Sequence, residues 1–94
     1  MRGHPQVPYP VAGVGQKVAY TATAGTSSAV AAQTRAVIVW VSTDAYISFE
    51  GTATTSDTPI PANTPMLFRI QGGQTVSAVQ DAAGGNLFVG EVDV

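Results

Sequence analysis

The residue types that carry acid–base or nucleophilic chemistry are scarce in this sequence. The chain has one histidine, His4, and no cysteine. His4 lies in the proline-rich segment MRGHPQVPYP, whereas a catalytic base has to be held rigidly by packed elements. We therefore expect a structural or solvent-facing role for His4, and neither thiolate chemistry nor a disulfide framework.

The carboxylates are dispersed as well. The six acidic residues stand at separate points of the chain: Asp44, Glu50, Asp57, Asp81, Glu91 and Asp93. A metal site needs several converging ligands, and a glycosidase with two carboxylates needs a deep cleft that a domain of this size rarely forms. Glu91 and Asp93 share one face of a predicted terminal strand, where acids usually mark a solvated edge that resists aggregation. We expect no enzymatic activity, no metal and no cofactor.

The cations are too few and too scattered to recognise phosphate. They are Arg2, Lys17, Arg35 and Arg69, and the formal net charge is −2. Nucleic-acid binding needs clustered cations, so that class of partner is not expected. The segment GVGQK at 13–17 lacks the upstream strand, the spacing and the Ser/Thr of a phosphate loop. Arg35 and Arg69 could each pair with a carboxylate of a neighbouring strand or subunit, which contributes little energy at a surface.

The elements that must position these residues are strands. The segment RAVIVWVSTDAYISFE at 35–50 contains two apolar runs with period-two alternation on either side of a turn at 42–44, which is typical of strands. The first run is apolar on both faces, so it predicts a central strand covered on both sides. The predicted core residues of this segment and the later strands are Ile38, Trp40, Ile47, Phe49, Phe68, Ile70 and Val76.

The rest of the chain repeats this pattern of short strands and turns. We predict strands over 16–23, 66–71, 74–80 and 87–94, and a loop with a short edge strand over 24–34. Gly72-Gly73 is a hairpin signal between two of them. Six to eight strands with turns every eight to twelve residues, and no helix, predict one all-β domain over 16–94. Its expected architecture is a small antiparallel β-sandwich or barrel, jelly-roll-like.

Two segments outside the predicted strands are candidates for contact with a partner. Residues 1–15 contain three prolines, which remove donors and favour extended backbone, so they predict an extended arm that orders on a partner. Val7, Tyr9 and Val11 would line one side of that arm, with Tyr9 as the aromatic anchor. The loop at 51–65 places Ile60 between two prolines, and loops of that length are often functional. Ile60 is the fourth predicted partner-binding residue.

A known class of proteins shares this layout. The core RAVIVWVSTDAYISFE, a Thr/Pro-rich loop and the strand pair PANTPMLFRIQGGQTVSAVQD resemble small all-β virion proteins of tailed bacteriophages, among them head decoration or cement proteins that trimerise on the capsid. The resemblance covers about two-thirds of the chain and leaves out the arm. It implies a structural function without catalysis.

Composition fits a protein that stays packed against another surface. Charged residues are 11% of the chain, far below the usual quarter, and a surface with so few charges keeps a protein in solution poorly.

With no membrane-length apolar run and no signal-peptide core, we expect a soluble protein made in the host cytoplasm. The leading hypothesis is a capsid decoration protein on the virion surface, binding the major capsid protein and copies of itself as a homotrimer, with no nucleic acid, membrane or small-molecule substrate. The alternatives are another tail, neck or fibre component, or a carbohydrate-binding β-sandwich that uses Trp40, Tyr46 or Tyr20 as stacking surfaces.

Overall fold

Eight strands form two antiparallel four-stranded sheets. The computed structural model describes residues 9–93, with side chains over 15–92, and it contains no helix in that range. The first sheet has the strand order β1-β8-β3-β6 and the second has the order β2-β7-β4-β5. The strands are β1 Tyr9–Tyr20, β2 Gly25–Thr26, β3 Ala36–Val41, β4 Ala45–Ser48, β5 Thr58–Ile60, β6 Met66–Arg69, β7 Ser77–Gln80 and β8 Gly85–Asp93.

The pairing of these strands is nested, as in a jelly roll. The first strand pairs with the eighth, the second with the seventh, the third with the sixth and the fourth with the fifth. Such a chain behaves like a long hairpin rolled into two facing sheets. The prediction of an all-β, jelly-roll-like sandwich is therefore confirmed. The barrel alternative is wrong, because the described strands form two separate four-stranded sheets; the isolated bridge between Val41 and Ala62 lies outside the named strands.

The core lies between the two sheets and is built mainly from valine, isoleucine and alanine. On β3, Val37, Val39 and Val41 point inward and are completely buried. Val39 and Val41 stand opposite Val89 and Leu87 of β8. The second sheet contributes Ile47, Ile60, Ala78 and neighbouring residues to the same cluster. Each large aliphatic side chain buried in this way contributes on the order of 1.5–3 kcal/mol of transfer free energy.

The face of β3 that points inward was predicted incorrectly. Ile38 and Trp40 are only partly buried and lie on the outer face of the first sheet. Because β3 is apolar on both faces, its period-two pattern does not say which face turns inward. The other predicted core residues fit: Ile47, Ile70 and Val76 are buried. Phe49 and Phe68 pack against the core cluster as an edge-to-face pair with ring centroids 5.4 Å apart.

Strand β1 begins earlier than the sequence suggested. Tyr9 pairs with Asp93 and Pro10 with Val92, and the register shifts before Gly15 pairs with Gly90. The predicted boundary at residue 15 is therefore wrong for 9–15, whose backbone is strand. Proline is tolerated there because β1 is an edge strand, where a missing N–H need not break a ladder. Residues 1–8 of the predicted arm lie outside the described residues.

Two connections also differ from expectation. Gly72 and Gly73 do form a tight turn, in which Gln74 N–H donates to Gln71 O at 3.1 Å and Gly73 has φ of 89°. However, β6 and β7 lie in different sheets, so this turn connects the two layers and is not a hairpin. The short edge strand predicted within 24–34 is confirmed as β2, which lies at the edge of the second sheet.

Candidate partner-binding surfaces

An aromatic pair occupies the middle of the outer face of the first sheet. Trp40 of β3 stands directly opposite Phe88 of β8. Their rings stack with centroids 4.9 Å apart and an interplanar angle of 15°, an arrangement that aromatic pairs favour. Both side chains are only partly buried. The pair therefore presents ring surface on the side of the sheet that faces away from the core.

Aliphatic side chains extend this apolar area towards the edge strand β6. Ile38 lies opposite Gly90 on β8 and opposite Leu67 on β6. A Cβ atom at Gly90 would lie 3.1 Å from Ile38 Cγ2, so the glycine leaves room for Ile38 to lie against the sheet. Leu67 is 51% exposed. We name Trp40, Phe88, Ile38 and Leu67 the Trp40 face.

The outer face of the second sheet is covered by the chain itself. The chain returns to this face at Ala53, which is only 4% exposed. The Ala53 N–H donates to Ser77 Oγ at 2.9 Å, and the Thr26 hydroxyl donates to the same oxygen at 3.1 Å. Ser77 is completely buried as a result. The long loop that was predicted to be functional or flexible thus serves in part as a cover.

A recess lies where the two sheets meet, beside the end of β6. It has a volume of about 710 Å³ and is lined by Arg35, Phe49, Glu50, Arg69, Ile70, Gln71 and Gln74. We name it the arginine cleft. Arg35 immediately precedes β3 and Arg69 ends β6, and the pairing of Ala36 with Arg69 brings them together. Two of the four cations of the chain therefore converge on one recess.

The tyrosines that were considered as sugar-stacking surfaces have other tasks. Tyr20 is only 2% exposed, and its hydroxyl donates to Thr43 O at 2.6 Å. It therefore holds the β3–β4 turn and is not available as a platform. Tyr46 is partly exposed and its hydroxyl donates to Asp81 Oδ1 at 3.2 Å. This hydrogen bond, followed by the negative charge of Asp81, raises the pKa of Tyr46 above 10.0.

The four predicted partner-binding residues lie in different parts of the structure. Ile60 is 1% exposed and belongs to the core cluster, so its assignment to a partner surface is wrong for the isolated chain. The two prolines beside it hold it in β5, where it pairs with Ala45. Val7 lies outside the described residues. Tyr9 and Val11 have their backbone in β1, and their side chains lie outside the described part, so their role stays a prediction.

The acidic side chains stay apart in the described part of the chain. No group of three or more His, Cys, Asp or Glu side chains comes together there. Glu91 accepts a hydrogen bond from the Thr34 hydroxyl. Its strand β8 lies between β1 and β3, so the prediction that Glu91 and Asp93 mark a solvated edge strand is wrong. Within 9–93 there is no helix long and apolar enough to cross a membrane.

Comparison of the chain with protein-family models, with curated proteins and with solved structures found no match. The strand order and the two surfaces described above define the chain as a jelly-roll β-sandwich with an apolar outer face and an arginine-lined cleft. Sequence reasoning missed both surfaces as sites. The signal for the first was present, since a strand that is apolar on both faces must have each face covered by something.

Proposed function

We propose that this chain is a structural virion protein of a tailed bacteriophage that decorates the assembled head. In this proposal the Trp40 face is the surface applied to the major capsid protein, and copies of the chain associate as a trimer. The observation that carries the proposal is the Trp40 face itself. A stacked Trp–Phe pair beside a half-exposed leucine is the kind of apolar patch that marks an interaction site on a small domain.

Two further observations support the proposal. Jelly rolls are used by viral capsid domains, although the same architecture also serves lectins and cupins, so the fold adds only an analogy. The low content of charged residues, 11%, suits a protein whose surface is largely buried against other subunits when it is bound. The sequence resemblance to phage virion proteins points in the same direction.

The mechanism would be stabilisation by mass action. A protein that binds the assembled shell and not its free subunits lowers the free energy of the shell. Trp and Tyr are the residues that most often dominate such interfaces, and losing one typically costs 2 kcal/mol or more of binding free energy, roughly 30-fold in affinity. A trimer that engages three capsid subunits gains further through effective concentration.

Co-sedimentation with empty capsids of the phage that encodes the chain tests the proposal. The wild-type protein is expected to sediment with the shells in a saturable manner, and Trp40→Thr is expected to weaken binding at least about tenfold, since it removes the central ring while keeping a good strand residue. Tyr46→Thr is the matched control, because it removes a partly exposed aromatic from the second sheet.

Absence of wild-type sedimentation, or equal loss in both variants, would contradict the proposal. A glycan array provides the alternative outcome. Saturable binding of a sugar that depends on Trp40, without capsid binding, would assign the chain to the carbohydrate-binding class instead.

A further inference from the structure

Strand β6 is an edge strand with its outer side open. It ends the order β1-β8-β3-β6, and among the described residues only β3 pairs with it. Ile70 N–H donates to Arg35 O at 3.0 Å. Hydrogen bonding alternates along antiparallel strands, so the N–H and C=O groups of Phe68 point to β3. Those of Leu67 and Arg69 point away from the sheet, where another strand can bind them.

This open edge leads directly into the arginine cleft. Arg69 is both the last residue of β6 and a wall of the cleft, and Arg35 stands beside it. The residues that line the cleft include two arginines, Arg35 and Arg69, and one acidic residue, Glu50. An incoming strand would thus meet free backbone groups, the exposed Leu67 side chain and then a site with an excess of positive charge.

We infer that the β6 edge and the arginine cleft together bind an extended acidic peptide segment of a partner protein. The segment would add to the first sheet as a fifth strand, with backbone hydrogen bonds to Leu67 and Arg69. A carboxylate of the segment would pair with Arg35 or Arg69 through charge-assisted hydrogen bonds, for which the planar guanidinium is well suited. This site shares Leu67 with the Trp40 face but contains neither aromatic ring, and the inference stands without the capsid proposal.

Peptide titration tests the charge requirement. The probe is an octapeptide of alternating Val and Glu, and its matched control carries Gln in place of Glu. Isothermal titration calorimetry is expected to show binding of the Glu peptide and binding of the Gln peptide at least about tenfold weaker. Arg35→Gln and Arg69→Gln are each expected to weaken binding of the Glu peptide about tenfold, the scale of one charge-assisted hydrogen bond. Lys17→Gln removes an equal charge from the opposite edge strand and is expected to change nothing.

A proline substitution tests strand addition separately. Leu67→Pro removes an N–H that points away from β3, so the existing ladder keeps its hydrogen bonds while the open edge loses a donor. It is expected to abolish binding, whereas Leu67→Thr, which changes only the side chain, is expected to retain most of it. The melting temperature of each variant shows whether it is folded. If Leu67→Pro does not fold, Arg69→Pro is compared with Arg69→Gln, so that the loss of the N–H is separated from the loss of the charge.

Three outcomes overturn the inference. The first is equal binding of the Glu and Gln peptides. The second is equal affinity in the Arg variants and Lys17→Gln. The third is full binding by a folded proline variant together with binding of an acidic oligosaccharide such as polygalacturonate, which would identify a glycan site. Because the capsid experiment varies Trp40, which is not part of this site, failure here leaves the capsid experiment unaffected.

Discussion

The outer faces of the two sheets differ in what contacts them. On the second sheet, the chain returns at Ala53, and Ser77 Oγ accepts hydrogen bonds from the Ala53 N–H and from the Thr26 hydroxyl. On the first sheet, Trp40 and Phe88 stack on each other and remain partly exposed. On the second sheet, the chain itself thus supplies hydrogen-bond partners for the buried serine of the outer face. The other face carries mainly apolar side chains, and removing that area from water on contact with another surface would be favourable.

The largest expected effect comes from comparing neighbours on opposite faces of β8. Leu87 is completely buried, whereas Phe88 is partly exposed on the Trp40 face. Leu87→Ala is expected to lower the free energy of unfolding by about 2–5 kcal/mol, because it leaves a cavity in the core. Phe88→Ala is expected to lower it less than Leu87→Ala does, because Phe88 is partly exposed; the lost stack accounts for about 0.5–1.5 kcal/mol of that cost, beyond the lost burial. Urea denaturation measures both, and a larger loss for Phe88→Ala would mean that the outer face is structural core.

A smaller effect is expected where the cover meets the second sheet. Ser77→Ala removes the acceptor of the buried Ala53 N–H, and an unsatisfied buried donor costs about 1–3 kcal/mol. Limited proteolysis is expected to cut within 51–57 faster than in the wild type, because the cover loosens. Ser48→Ala is the control, since Ser48 Oγ accepts only the exposed Glu50 N–H. Unchanged cleavage in Ser77→Ala would show that the cover is held by packing and not by this oxygen.

The smallest effect concerns the Tyr46–Asp81 pair at the rim of the second sheet. The pKa of Tyr46 is raised by the hydrogen bond to Asp81 and by its charge. The folded protein therefore binds this proton more tightly than the unfolded chain. The stabilisation is fully present below about pH 10, the ordinary tyrosine value, and is lost as the pH rises through the raised pKa. Ultraviolet titration of tyrosinate is expected to show that Asp81→Asn returns the pKa of Tyr46 towards 10.0. An unchanged pKa in this variant would contradict the assigned cause.

Local pattern was enough to predict the class of fold. Alternation and turn spacing predicted an all-β, jelly-roll-like sandwich, the short edge strand β2, and the burial of Ile47, Ile70 and Val76. These features depend on residues that are close in sequence. The orientation of β3 did not follow from them, because Val39 and Trp40 are both apolar strand formers and only the opposite sheet selects between them.

The candidate surfaces depend on contacts between residues that are distant in sequence. Arg35 and Arg69 share a cleft only because β3 pairs with β6. Ile60 was placed at a surface because prolines flank it, although Pro59 pairs with Tyr46 in the ladder and turns Ile60 into the core. Proline likewise hid the start of β1. In each case the register of a sheet, which local composition does not encode, decided the outcome.

The nested strand pairing has a consequence for biosynthesis. Within residues 9–93, β1 pairs only with β8 and β2 pairs only with β7. A nascent chain emerging from the ribosome can therefore form the β3–β6 and β4–β5 ladders, but its first two strands have no partners until residues 77–93 have been translated. Because contacts that close such long loops form slowly, β1 and β2 remain exposed longest, and both sheets are completed only after the last two strands leave the exit tunnel.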